Sequence, residues 1–142
     1  MQSHWFSVGP LVPWAVRARG ALDVSALDRA LQELVRRHEI LRTTFPVVDG
    51  RPVQRIAPEP RVPLPLVDLS VCPDQEDRWI DEELAQPLDL VAGPLMRALL
   101  LRLGPEEHTL VLVLHHILFD GWSGGVLLRE LAALYRGVSL PE

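Results

Sequence analysis

Cysteine is almost missing from this chain of 142 residues: Cys72 stands alone. A lone thiol excludes an internal disulfide and does not by itself build a structural zinc site, so a reducing compartment is expected. Long hydrophobic runs are missing as well. The longest purely apolar stretches, such as Ala98–Leu101 and Leu110–Leu114, are far short of the ~20 residues that a membrane-spanning helix needs. Positive charge is not in excess: 14 Lys and Arg stand against 19 Asp and Glu, a net charge of −5 with neutral histidines. That balance argues against a nucleic-acid binder, which carries a basic face. The first twenty residues hold Pro10 and Pro13 and no basic start before an apolar stretch, so no secretory signal is expected. What is present is apolar surface. At 48% apolar and 23% charged residues, the chain can offset the entropy of ordering itself, and its length suits one domain of ~100–150 residues. The expectation is a soluble, cytoplasmic α/β or α+β chain.

Proline is plentiful and clustered. There are 13 in all, with Pro46, Pro52, Pro58, Pro60, Pro63, Pro65 and Pro73 in one stretch that admits turns and short edge strands but no long helix. Three segments carry helical periodicity. After Asp23 or Ser25 as N-cap, Leu27, Ala30, Leu31, Leu34 and Val35 recur at helical spacing, and Arg36, Arg37 and His38 suit the negative C-terminal end. A short helix is predicted over Gln75–Ala85 with Trp79, Ile80 and Leu84 inward. A third is predicted over Ser123–Tyr135, with Leu127, Leu128, Leu131, Leu134 and Tyr135 inward and Gly137 ending it. Thr43–Val48 and Val53–Ile56 flank Asp49-Gly50, a hairpin signal. Leu95–Leu103 and His108–His116 flank Gly104–Glu107, a second hairpin. Thr109–Leu114 is apolar at nearly every position without alternation, so both faces of that strand should be covered. The pattern predicts helices packed on a sheet.

The most informative stretch follows that strand: His115-His116-Ile117-Leu118-Phe119-Asp120-Gly121. Side chains alternate along a strand. His115 therefore belongs with Thr109, Val111 and Val113, and His116 with Leu110, Leu112 and Leu114, so the two imidazoles diverge. A bland reading has a core histidine and an Asp-Gly turn. A metal site is disfavoured, because the two histidines diverge, no further His follows, and Cys72 is remote in sequence. Gly121-Trp122-Ser123-Gly124-Gly125 matches G-x-S-x-G, yet no Asp or His follows Ser123 to complete a hydrolase triad in that order. Ser123 is more simply a helix N-cap. The remaining reading is an acyl-transfer site that uses a histidine and no enzyme nucleophile.

These residues resemble the HHxxxDG motif of the condensation domains of nonribosomal peptide synthetases, and Trp122-Ser123 with the Leu-rich helix continues the likeness. A second stretch, Arg37-His38-Glu39-Ile40-Leu41-Arg42-Thr43-Thr44-Phe45, is similar to the family's RHExLRTxF segment. Gly20–Asp23, Pro87–Leu90 and Gly93–Arg97 also resemble it, and the order agrees from about Trp14 to Tyr135. The family's earliest motif has no counterpart before His4-Trp5-Phe6. The resemblance implies a chloramphenicol-acetyltransferase-like fold, with residues 1–142 forming most of an N-terminal lobe and the second lobe absent. It implies no directly bound cofactor. Substrates ride on the phosphopantetheine arms of peptidyl or aryl carrier proteins, and the second lobe and adjacent synthetase domains are partners.

By the same resemblance His116 faces the cleft and positions the acceptor amine or takes its proton. A backbone N–H near Gly121 supports the oxyanion. Asp120 pairs with an arginine, Arg37 or Arg42, to hold the loop; His115 packs on the other face, and Phe119 packs too or lines the channel. The implied reaction joins a carrier-bound acyl or aminoacyl donor to an aminoacyl acceptor as an amide, in a complete two-lobed domain and not in an isolated lobe. Epimerisation is less expected. Two other functions remain open: a non-catalytic carrier-protein-binding module or truncated remnant, and an acyltransferase using a coenzyme A thioester.

Overall fold

The computed structural model describes residues 2–5, 11–58, 62–86, 88, 95–115 and 124–137. Contacts between Cα atoms divide the chain into two compact units: 1–22, 63–88 and 96–116 in one, 23–62, 89–95 and 117–142 in the other.

The first unit is a five-stranded mixed sheet with a helix on one face. Its strands are β1 (Gln2–Trp5), β2 (Leu11–Arg19), β7 (Leu66–Asp68), β8 (Met96–Gly104) and β9 (Glu107–His115), in the order β1-β2-β9-β8-β7. All pairings are antiparallel except β7 with β8. As the unbroken apolar run predicts, β9 is central, and every residue from His108 to Leu114 is buried. Both neighbours pair with it along most of its length, from Arg19↔Glu107 to Leu11↔His115 on one side and from Gly104↔Glu107 to Met96↔Leu114 on the other. The turn between β8 and β9 is tighter than the four residues expected, and one irregularity falls between Arg102 and Gly104.

Helix α2 (Glu76–Leu84), entered through a 3-10 turn at Pro73–Gln75, covers one side of this sheet. Trp79, Ile80 and Leu84 pack on Leu69, Leu88, Leu99, Leu101, Val111 and Val113. Two sheet arginines clamp the helix at its ends. Arg17 donates to both carboxylate oxygens of Glu76 at 2.6 and 2.8 Å. Arg97 donates to Glu83 Oε1 at 2.8 Å and to the carbonyls of Glu83 and Gln86, each at 2.7 Å. The second clamp places positive charge where the helix dipole is negative and satisfies carbonyls left open at the helix end.

The second unit contains α1 (Val24–Arg37), a 3-10 turn (Glu39–Arg42), a bent hairpin and α3 (Gly124–Tyr135). Asp23 caps α1 by accepting from the Ala26 N–H at 3.1 Å, and the five predicted stripe residues Leu27, Ala30, Leu31, Leu34 and Val35 are all buried. The hairpin is broken into two short ladders. In one, β3 (Thr43–Thr44) pairs with β6 (Arg55–Ile56); in the other, β4 (Val47–Val48) pairs with β5 (Arg51–Pro52). Asp49 at φ 52° and Gly50 at φ 77° form its turn. Those two positive φ values are what the Asp-Gly signal implies. Pro46 and Pro52 explain the interruption, since each lacks an N–H for the ladder. The Gln32 side-chain amide stands in for a strand neighbour, donating to the Val62 carbonyl at 2.5 Å and accepting from the Val62 N–H at 3.2 Å. In α3, Leu127 and Leu131 are buried, while Leu128, Leu134 and Tyr135 are half-buried. Gly137 at φ 80° ends the helix as expected, and its N–H donates to the Leu134 carbonyl at 3.0 Å.

Candidate active site

The site is built on the end of β9. The register places His115 opposite Leu11, on the sheet face shared by Thr109, Val111 and Val113, as alternation predicts. His115 is half-buried, the first residue after seven buried ones. His116, Asp120, Gly121, Trp122 and Ser123 lie outside the described residues, as does Phe119. Chain connectivity fixes where they are attached: residues 116–123 leave the end of the central strand and enter α3 at Gly124.

The two candidate arginines differ. Arg42 is committed to the end of α1. Its Nε–H donates to the Val35 carbonyl at 3.1 Å, and its two terminal nitrogens donate to the carbonyls of Arg36 at 2.9 Å and Ala57 at 2.7 Å. Sequence reading gave the helix end to Arg36, Arg37 and His38. Arg36 and Arg37 do lie in the last turn and His38 is the C-cap; Arg36 also bonds Glu33 at 2.6 and 2.8 Å, holding that carboxyl below its usual range, and the Arg42 guanidinium, five residues beyond the helix, takes the carbonyls of Val35 and Arg36. Thr43 adds a hydroxyl bond to the Glu39 carbonyl at 2.6 Å. Arg37 is half-buried in the last turn of α1.

Sequence reading missed the role of His38. Its Nε2 lies 2.5 Å from Oε2 of Glu130 on α3, and both side chains are 24% exposed. The available signal was a histidine inside a long motif, read there only as a positive charge near a helix end. A second tie joins the same helices, with the Asp23 N–H donating to the Tyr135 hydroxyl at 3.0 Å.

Another polar cluster lies under α2, where a cleft of about 510 Å³ is lined by Ala15, Arg17, Glu76, Ile80 and Thr109 among others. Arg17, Glu76 and Thr109 in it satisfy one another. Arg17 holds Glu76 and also Glu107, and the Thr109 hydroxyl donates to Glu76. No group of three or more His, Cys, Asp or Glu side chains suited to a metal ion occurs among the described residues. No helix among them is long and apolar enough to cross a membrane.

The mixed sheet has a buried central strand that ends at His115, the first histidine of the motif. The chain belongs to the condensation-domain family, whose model matches residues 2–142. It is 46% identical over 138 residues to the chondramide synthase of Chondromyces crocatus, covering 94% of this chain and 4% of that protein. Among solved structures it is similar to the first condensation domain of the calcium-dependent antibiotic synthetase in complex with a substrate analogue. There the TM-score is 0.79 and the identity 32%, over 94% of this chain and 34% of that one. It is also similar to the X-domain in a complex with OxyB from teicoplanin biosynthesis, with TM-score 0.76 and identity 35%, over 96% of this chain and 30% of that one. The chain thus spans about a third of the solved chains and a few per cent of the synthetases it matches. The fold is α/β and chloramphenicol-acetyltransferase-like, as the motifs implied.

Proposed function

We propose that this chain is most of the N-terminal lobe of a condensation domain that forms amide bonds in nonribosomal peptide synthesis. The acceptor amine attacks the carbonyl carbon of a carrier-bound thioester. The tetrahedral intermediate collapses with cleavage of the C–S bond, and the amine proton passes by way of His116 to the leaving sulfur, giving amide and free thiol. An α-amino group with pKa ~7.7–8.0 is partly neutral near pH 7, so removing its proton is a modest part of the barrier. A positioned base contributes ~10²–10⁴ in rate, whereas holding two thioesters in attack geometry contributes ~7–11 kcal/mol. Positioning is the larger share, and it calls for an opposite wall from a second lobe.

The observation that carries the reading is the histidine pair issuing from the buried end of β9, within a chain of this family. His116 acts at the amine, and a backbone N–H near Gly121 supports the oxyanion. Asp120 pairs with an arginine, Arg37 or Arg42, to hold the segment it lies in. The substrates arrive on the phosphopantetheine arms of carrier proteins, no cofactor binds the chain directly, and the location is cytoplasmic.

The test supplies acyl- and aminoacyl-loaded carrier proteins to the full-length gene product and detects the amide by mass spectrometry. His116→Ala is expected to lower product formation ~10²–10⁴-fold with the fold intact; undiminished turnover refutes the assignment. The likeness to an X-domain captured with a protein partner supports a second reading, a binding module without chemistry. That reading expects stable capture of a loaded carrier protein and no amide. Product from an acyl-coenzyme A donor alone would point instead to a coenzyme A acyltransferase.

A further inference from the structure

We propose that one face of the hairpin at residues 43–56 is a docking surface for a protein helix that carries apolar side chains between two carboxylates. Nothing in this depends on the condensation reading above. The two short ladders share one register: Thr43↔Ile56, Thr44↔Arg55, Val47↔Pro52 and Val48↔Arg51. The Val53 N–H, donating to the Pro46 carbonyl at 2.9 Å, fills the step between them. Directly opposed residues share a face, and faces alternate along each strand. One face therefore carries Thr44, Pro46 and Val48 beside Arg51, Val53 and Arg55. The other begins at Thr43, which is 1% exposed, so the hairpin turns that face inward at its base.

The first face is open to water. Val48 is 46% and Val53 38% exposed, and Arg51 and Arg55 are exposed too. No ion pair among the described residues includes either arginine, whereas the exposed Arg36 and Arg78 are held by Glu33 and Glu82 of their own helices. Asp49, in the turn, is the only acidic residue between positions 43 and 57. The hairpin is thus locally basic on a chain whose net charge is −5, and an apolar strip between two unpaired guanidinium groups calls for an acidic, apolar partner. Spacing sets its form. Arg51 and Arg55 are four residues apart on the strand side, about 13 Å in extended chain, with Pro46 and Val53 in the row between them and Val48 beside Arg51. On a helix, carboxylates at i and i+7 lie about 10 Å apart, within reach of the flexible arginine stems, and apolar side chains at i+3 and i+4 fall over the valines. Addition of a strand at the β5 edge is disfavoured. The Val53 N–H points across the hairpin, so position 52 faces out, and Pro52 has no N–H to give.

The test uses the 142-residue chain and a labelled helical peptide of about 18 residues, with glutamates at i and i+7 and leucines at i+3 and i+4. Fluorescence anisotropy should show saturable binding that weakens as salt rises. Arg51→Glu combined with Arg55→Glu should lower the affinity about tenfold or more. A peptide with lysines in place of the glutamates should reverse that order and bind the double variant better than the parent chain. Val48→Ser combined with Val53→Ser should weaken binding of the glutamate peptide about tenfold. All four positions are exposed, so the melting temperatures of these variants should stay within about 2 °C of the parent. Hydrogen exchange should slow over 43–57 when the glutamate peptide binds and stay unchanged over 24–37. Absence of saturable binding, equal binding of the two peptides, or protection that falls outside the hairpin would overturn the proposal. So would a change of oligomeric state on Arg51→Glu with Arg55→Glu in sedimentation, which would give the face to a second copy of the chain. Preference for vesicles of phosphatidylserine and phosphatidylcholine over the peptide would likewise overturn it, giving the face to lipid.

Discussion

Among single residues, the arginines and histidines divide the labour in ways that their chemistry explains. Arg42 has a rigid fork of donors, and three carbonyls converge on it. A lysine presents one point of charge and cannot reproduce that fork. Arg42→Lys should therefore destabilise the chain by about 1.5–3 kcal/mol, the scale of hydrogen bonds to a charged group, measured by denaturant unfolding. His108 illustrates a different constraint. It is 1% exposed, and Arg102 Nε–H donates to its Nε2 at 3.2 Å, which requires an unprotonated nitrogen there. Burial first, then the Arg102 charge, push its pKa below the usual 6.5, with Asp68 opposing. The native state then binds fewer protons than the unfolded chain as pH falls below 6.5, so the stability it confers is complete above that value and declines as pH drops. The melting temperature should fall between pH 7.5 and 5.5, and His108→Gln should flatten that part of the profile. Asp68 titrates in a separate, more acidic window. Bonds from the Ser70 hydroxyl and N–H hold its carboxyl below 3.8, so its contribution is lost only as pH falls through the carboxylate range. Little of this residue-level detail was legible in the sequence. The run expected to be covered, Thr109–Leu114, stopped one residue short of His108, and the three carbonyls that Arg42 holds depend on where a chain turn aims its five donors.

Secondary-structure elements were legible where the pattern was strong. The stripe from Leu27 to Val35 gave α1, and the unbroken apolar run gave β9 its central place. Strands β1, β2 and β7 were not read from the sequence. β2 carries Pro13 and two arginines, and its identity comes from pairing with β9. The described pairs of β1 with β2 end at Trp5↔Trp14, so Pro13 sits past them, a one-sided position of the kind where a sheet tolerates proline. β7 is three residues long amid prolines, and only its parallel register with β8 makes it a strand. The difference in burial between elements gives a direct test. Leu112 is 0% exposed on β9, so Leu112→Ala should cost ~2–5 kcal/mol. Val48 on the hairpin is 46% exposed, and Val48→Ala should stay within ~0.5 kcal/mol. Urea titration of the two variants side by side checks both values.

For the molecule taken as a whole, two motifs were enough to read the family, because long ordered signatures carry more information than any periodicity. Fold class followed with them. The solved relatives run about three times the length of this chain, and the proposed reading puts the other side of the reaction cleft in that further length. If positioning is the larger share of catalysis, the 142-residue chain alone should give no amide above the uncatalysed background from loaded carrier proteins. On the proposed reading the same residues within a complete two-lobed condensation domain should give abundant product under the same conditions, and mass spectrometry distinguishes the two.

The doubly paired register of β9 has one more consequence. Because each residue along it alternates sides, deleting Val111 would reverse the phase of Leu112–His115 and turn His115 to the opposite face of the sheet. Every letter of HHxxxDG would still be spelled in the gene, yet on the proposed condensation reading amide formation by a complete domain should fail as it does on loss of His116.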